Sequence, residues 1–221
     1  KKAQRPLASG RVTKPQAAIL AGCIAGLLIG LLCWLDHAAY TICILIYLAL
    51  NIFYCLVLRN HAILDIASIS ASFLLRLYAG IVIIGAHPSP WIVIMTGLLA
   101  LFIATAKRYD DIVKEYDQDY RQSLRGYSKD FLRALMHILC GALLAAYFTY
   151  IAGEQANARY SDEVLLTAPF VVLGLMRYLQ LTQVEENSGS PTELLWRDRF
   201  LQICVLGWVV VFGWILYGAS I

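Results

Sequence analysis

Seven apolar stretches, separated by polar breaks, dominate the chain: Pro15–Trp34, Thr41–Leu58, Ile66–Ala86, Trp91–Ala106, Phe131–Gly153, Val164–Thr182 and Phe200–Ala219. A helix needs about 20 mostly apolar residues to cross a bilayer. The fourth stretch is short, but the stem of Lys107 at its end can snorkel to the interface. No strict apolar/polar alternation runs through these stretches, which speaks against a transmembrane barrel. The pattern predicts an all-α, multi-span transmembrane helix bundle with seven spans, forming a single domain over residues 1–221.

Composition agrees. Of the 221 residues, 60% are hydrophobic and only 15% are charged, with a mean hydropathy of +0.65. Soluble domains carry about 25% charged residues, and a globule of this size has no room to hide so much apolar surface. Six cysteines (Cys23, Cys33, Cys43, Cys55, Cys140 and Cys204) are scattered through the apolar stretches without C-x-x-C pairs or His neighbours. They read as small packing residues, which excludes a disulfide framework and a zinc site.

The charges matter by position rather than by the net +3. If the spans alternate, sixteen of the 18 basic residues fall on one side, Arg159 falls alone on the other and Arg76 lies within the third span. The positive-inside rule then puts the N-terminus and this basic side in the cytoplasm. The outer connections, such as 36–40 and 87–90, are short. The cytoplasmic ones, 107–130 and 183–199, are long and charged, and long loops in compact folds usually carry function. The chemistry is therefore expected at the cytoplasmic face.

Candidate residues follow from what packing leaves unexplained. Arg76 sits inside a span, where an ionisable group is a functional candidate by default. Asp65 lies eleven residues earlier, on the same helix face and about 16 Å away, too far for a salt bridge. The two define one polar stripe. Asn51 and Tyr54, one helical turn apart, converge with Arg59 on the membrane edge that holds Asp65. After the fourth stretch comes KRYDDIVKEYDQDYR, residues 107–121, where Lys107, Asp111 and Glu115 repeat at i, i+4. Carboxylates one turn apart can hold a hard divalent cation that shares its remaining positions with phosphate oxygens and water. Lys107 and Arg108 beside them suit phosphates. A solvated, salt-bridged helix would show the same charges. The N-terminal KKAQRPLASGRV puts Lys2 and Arg5 in a basic loop fit for an anionic ligand, or for a membrane anchor. Together these residues point to a phosphorylated lipid or a diphosphate without naming a reaction. Gly22, Gly26 and Gly30 form a G-x-x-x-G-x-x-x-G stripe suited to close helix packing within the bundle, the favoured reading, or to a homo-oligomer face. Nothing calls for nucleic acid.

Four segments in order resemble the UbiA-type membrane prenyltransferase superfamily, and most closely its phosphoribosyl-transferring branch of mycobacterial cell-wall biosynthesis. Lys2 to Gly10, K-A-Q-R-P-L-A-S-G, looks like the K-x-x-R-P tail that follows the family's first Asp-rich motif. Asn51, Y-C-L-V-L-R (Tyr54 to Arg59), Asp65 and F-L-L-R-L-Y-A-G (Phe73 to Gly80) resemble the branch's N-x-x-Y, D and F-x-x-R-x-x-A-G series, with Arg59 where Lys is usual. A-K-R-Y-D-D (Ala106 to Asp111) is similar to G-K-R-x-x-E, and S-P-T-E-L-L-W-R-D-R (Ser190 to Arg199) to the branch's P…D-R element. The family fold has nine helices, so the resemblance implies that two spans and the first Asp-rich motif precede Lys1.

The resemblance further implies an enzyme of a bacterial plasma membrane, with its active site on the cytoplasmic side. It would transfer a phosphoribosyl group from phosphoribosyl diphosphate to a decaprenyl-like polyprenyl phosphate, with Mg²⁺ as cofactor. Lys2, Arg5, Lys107 and Arg108, with Arg59, would bind phosphates. Asn51, Tyr54 and Asp65 would shape the donor pocket, and Arg76 would meet the acceptor phosphate or brace helices. Asp111, with Asp110 and Glu115 as weaker candidates, would hold the metal or orient a basic neighbour. The alternative within the superfamily is an aromatic prenyltransferase of the ubiquinone or menaquinone type. That reaction favours D-x-x-x-D, to which Asp111 and Glu115 only approximate. A transporter or receptor is disfavoured by the lack of paired half-sequences and by the short outer loops.

Overall fold

The computed structural model describes residues 9–114, 122–153, 162–184 and 191–218. All regular structure among them is helical, and seven helices are long and apolar enough to cross a membrane, as the hydrophobic pattern predicts.

Local chemistry sets the helix boundaries. The first helix, α1 (Lys14–Leu35), opens with a reciprocal cap: Thr13 accepts from the Gln16 amide, the Gln16 side chain accepts from Thr13, and Pro15 occupies the first turn. Helix α2 (Ala38–Leu56) starts where His37 Nδ1 accepts the Tyr40 amide. A short 3-10 turn, Leu58–Asn60, leads into α3 (Leu64–Ile83). That helix ends three residues short of the predicted Ala86. Gly85 adopts φ 64°, and the amides of Gly85 and Ala86 return to the carbonyls of Val82 and Ile81. This is a Schellman stop, which a residue without Cβ enters at no steric cost.

The fourth helix, α4 (Pro90–Val113), departs most from expectation, running seven residues past the predicted end at Ala106. Lys107, Arg108, Asp110 and Asp111 therefore belong to the helix and not to the connection after it. The apolar run stops at Ala106, but the helix continues because ion pairs take up three of the four charges that follow. A 3-10 segment, Gln122–Gly126, precedes α5 (Lys129–Ile151), whose N-cap Ser128 accepts the Phe131 amide. The sixth span is a composite: a 3-10 stretch, Asp162–Thr167, then α6 (Ala168–Gln183). Pro169, which lacks an amide hydrogen, falls in the first turn of α6, where that loss is harmless. A short α7 (Pro191–Arg197) and the last span, α8 (Arg199–Gly218), complete the path.

Packing centres on α3, α4 and α5. Phe102, Tyr109, Leu132 and Met136 are fully buried there, and the Phe102 ring lies 5.3 Å from that of Tyr178 on α6. Small residues let α3 and α4 approach: Ser70 Oγ donates to the Gly97 carbonyl at 2.9 Å. Further along the bundle a relay joins α8, α5 and the 3-10 stretch before α6. Trp208 Nε1 donates to Tyr147 OH at 2.9 Å, Tyr147 and Thr167 share a 2.6 Å bond, and Thr167 donates to the Val164 carbonyl.

The glycine stripe of α1 does not behave as expected. No residue of α1 is buried, and a Cβ at Gly22, Gly26 or Gly30 would meet nothing within 4 Å among the described residues.

Candidate active site at the basic end of the bundle

Because the helices run up and down, the C-terminal ends of α2, α4 and α6 share one end of the bundle with the N-terminal ends of α3, α5 and α8. Asp65, in the first turn of α3, is its centre. A carboxylate there gains from the positive end of the helix dipole. It is completely buried, and three parts of the chain supply its donors. Tyr54 OH, from α2, donates to Oδ1 at 2.9 Å. Arg108, from α4, donates through Nε to Oδ2 at 2.5 Å and through Nη2 to Oδ1 at 3.4 Å. Ser123 Oγ, from the 3-10 segment after α4, reaches Oδ2 at 3.4 Å. The remaining fork nitrogen of Arg108, Nη1, donates to Asp111 Oδ2 at 2.7 Å. One guanidinium thus bridges two carboxylates, a geometry its planar donor set is built for.

The other predicted residues divide around this centre. Asn51 bonds back to the Tyr47 carbonyl at 2.7 Å, one turn from Tyr54 on the same face of α2. Arg76 is exposed, with its guanidinium 4.4 Å from the Phe73 ring centre and 5.6 Å from that of Tyr47. The stripe read from Asp65 to Arg76 has two ends with different surroundings. Its Asp65 end is sealed by α2, α4 and the 3-10 segment, while its Arg76 end is stacked on aromatic faces and bonded to no described carboxylate.

Arg108 was expected to hold phosphate, but it is 1% exposed and committed to Asp65 and Asp111. An arginine already forked between two carboxylates has little left to offer an anion. Asp110, an expected metal residue, pairs instead with Lys114 at 2.7 Å. Lys107 is exposed, and Arg59 is half-buried on the 3-10 turn after α2. Lys2, Arg5 and Glu115 lie outside the described residues.

Three groups escaped the sequence reading. Ser123 and Tyr127 carry no motif that marks them. Asp198 falls within the D-R element, but no spacing there announces a partner. In the structure it caps α8, accepting the Leu201 amide at 2.8 Å, and binds Arg177 of α6 at 2.6 Å. The hydrogen bond from Arg177 holds its carboxyl below the usual carboxylate value.

Among the described residues no three His, Cys, Asp or Glu side chains gather in a metal-binding group. Cationic donors reach both oxygens of Asp65 and of Asp110, whereas Asp111, 22% exposed, meets Arg108 through Oδ2, which leaves it the most open of the three carboxylates. An apolar cavity of about 290 Å³ opens nearby, lined by Phe102 of α4, Phe170 and Tyr178 of α6, Leu195 of α7, and Cys204 and Trp208 of α8. Phe102 and Tyr178, which line it, share a buried cluster with Tyr109 of the charged end of α4.

A buried carboxylate–guanidinium centre at the basic end of an apolar helix bundle fits a membrane enzyme that handles anions. Residues 1–196 match the model of the UbiA prenyltransferase family, and the chain belongs to that family of membrane transferases. The chain is 29% identical, over 96% of its length and 69% of the relative's, to decaprenyl-phosphate phosphoribosyltransferase of Mycolicibacterium smegmatis. It is 28% identical to the protein of that name in Corynebacterium glutamicum, over 93% of the chain and 63% of the relative. For the Mycobacterium tuberculosis protein the figures are 26%, 95% and 68%. The chain thus spans about two thirds of the length of these curated relatives.

Proposed function

We propose that the protein transfers a phosphoribosyl group from phosphoribosyl diphosphate to a polyprenyl phosphate of decaprenyl type, at the basic end of the bundle and on the cytoplasmic side of a bacterial plasma membrane. The similarity to three phosphoribosyltransferases across nearly the whole chain carries this reading. The skew of sixteen basic residues to one side supports the orientation.

The acceptor brings its own nucleophile. A phosphate oxygen of the polyprenyl phosphate attacks the anomeric carbon, that carbon's bond to diphosphate breaks, and diphosphate leaves with the electron pair. A single displacement inverts the anomeric centre. No side-chain nucleophile is needed, so the protein's task is to position two anions and to offset charge on the leaving group. Lys107 and Arg59 at the basic end, with Lys2 and Arg5 from the N-terminal segment, suit the phosphates. Arg108 serves the substrates only indirectly, by fixing Asp65 and Asp111 in place. The apolar cavity beside α4 suits the first isoprenoid units of the acceptor.

Mg²⁺ is part of this reading. Magnesium in such sites is held by one or two carboxylates and completed by substrate phosphates and water. Asp111, the most open of the three carboxylates, fits the protein's share, and Asp110 does not while Lys114 occupies it. Bound there, the ion would neutralise the departing diphosphate.

The test uses the full-length protein in detergent with Mg²⁺, labelled phosphoribosyl diphosphate and polyprenyl phosphate. Label should enter the organic phase, and Lys107→Ala or Asp111→Ala should lower the rate by about 10²-fold or more, the usual cost of one electrostatic contact to developing charge. A folded protein that labels no lipid, yet transfers from a prenyl diphosphate to an aromatic acid, would establish the aromatic prenyltransferase alternative instead.

A further inference from the structure

The short connection between the 3-10 turn after α2 and the start of α3 holds the most strained backbone in the described molecule. Ile63 has φ 67° and ψ −53°, and the Leu64 amide bonds to the Ala62 carbonyl at 2.8 Å. These are the marks of a γ-turn with positive φ, a rare conformation. A β-branched residue there is a steric outlier. Ile63 is 62% exposed, so packing of its own side chain does not impose the turn. It is also the N-cap residue of α3, yet it has no side chain able to cap.

Another segment holds the turn in place. Tyr127 OH accepts the Ile63 amide at 2.6 Å, across 64 residues of sequence. The Tyr127 ring is 9% exposed and stacks against Phe131 at 6.2 Å, so the acceptor cannot swing away. One residue earlier, Gly126 lies so close to the turn that an added Cβ would stand 2.6 Å from the Ala62 Cβ. Three residues before that, Ser123 donates to Asp65 itself. Residues 123, 126 and 127 thus grip 62, 63 and 65 in register, and Asp65 follows the strained residue by two positions.

We propose that residues 123–127 form a clamp that sets where α3 begins and so places the Asp65 carboxylate against Tyr54 and Arg108. Tyr127 and Gly126 are positioning residues, acting on the reaction only through Asp65. The catalytic part of this inference rests on the transferase reading above; the clamp itself does not. The clamp also explains why a turn that glycine would occupy with less strain is tolerated with isoleucine. Backbone strain of this kind persists where surrounding structure over-determines it.

The test pairs two readouts in the full-length protein. Amide hydrogen exchange over residues 61–66 reports the clamp without any substrate. Steady-state kcat and KM for phosphoribosyl diphosphate report its consequence. Tyr127→Phe removes one oxygen and should speed exchange at Ile63 while lowering kcat about tenfold, with KM changed by less than about threefold, as expected when geometry rather than ground-state binding is lost. Gly126→Ala should speed the same exchange and lower kcat by up to about 10²-fold, the cost of a misplacement near 1 Å. Adding Ala62→Gly, which removes the clashing Cβ, should restore both. Unchanged exchange in Tyr127→Phe, or no rescue by Ala62→Gly, overturns the clamp. Faster exchange with unaltered kcat overturns the positioning role. A wild-type protein with protected amides but no phosphoribosyl transfer overturns the donor assignment and leaves the clamp supported.

Discussion

The basic end of the bundle contains two arginine–aspartate pairs that look alike in sequence and differ in physics. Arg108 and Asp65 are 1% and 0% exposed and share their charges with Tyr54, Ser123 and Asp111. Arg177 and Asp198 are 23% and 12% exposed and join α6 to the cap of α8. In the first pair each group depends on the other, because a lone charge without water is costly. In the second, nearby water can stand in for a missing partner. The difference teaches which pair organises the centre and which fastens its edge.

Removing one partner of the buried pair should have the largest effect. Arg108→Met strands the Asp65 carboxylate and should cost about 3–5 kcal/mol of stability, the usual penalty for an uncompensated buried charge. Asp65→Asn together with Arg108→Met should recover much of that loss, because the stranded charge is gone. Thermal unfolding in detergent measures both. A double variant no more stable than the single would show that the pair matters through its hydrogen-bond network rather than through charge.

The edge pair should respond less and should respond to pH. Arg177→Met is expected to cost about 1 kcal/mol, less than the fully buried pair, because water reaches both partners. The carboxyl of Asp198 is held below its ordinary value of 3.8, chiefly by the Arg177 hydrogen bond. Its contribution is therefore complete above that ordinary value and is lost as pH falls through the lowered one, where the native state must take up a proton. Melting temperature followed from pH 6 downward should show a smaller acid loss in Arg177→Met than in wild type. Equal acid limbs would assign that loss to other carboxylates. Smallest of all should be Gly26→Leu on the open face of α1, within about 0.5 kcal/mol of wild type. A larger change would show that the stripe is covered in the membrane.

Much of the architecture was legible because membrane helices are specified by length and apolarity. The seven spans could be placed to within a few residues at most ends, and the errors have local causes: Gly85 stopped α3 early and Pro169 delayed α6. The end of α4 was misplaced for a different reason. Hydropathy stops at Ala106, whereas the helix continues to Val113 because Asp65, Asp111 and Asp110 neutralise Arg108 and Lys114. Asp65, Tyr54, Arg108 and Asp111 were all candidates on sequence grounds, and the structure brings these four together. Their relation was not legible. Asp65 was read along its own helix toward Arg76, while its cation is 43 residues away on another helix.

By itself the sequence determined that this is a helical membrane protein, which side of its spans is basic, and which family's motifs it carries. Those properties are written in composition, in the spacing of apolar runs and in short strings of residues. Only the tertiary structure decided that Arg108 is spent on carboxylates, that Asp110 is closed off by Lys114, and that Tyr127 holds the strained turn before Asp65. The Arg108–Asp65 and Tyr127–Ile63 contacts join segments 43 and 64 residues apart, whereas the Asp110–Lys114 pair needs only that the helix continue past Ala106. Hydrogen bonds and ion pairs act over about 3 Å, so only the packing of helices decides which groups meet.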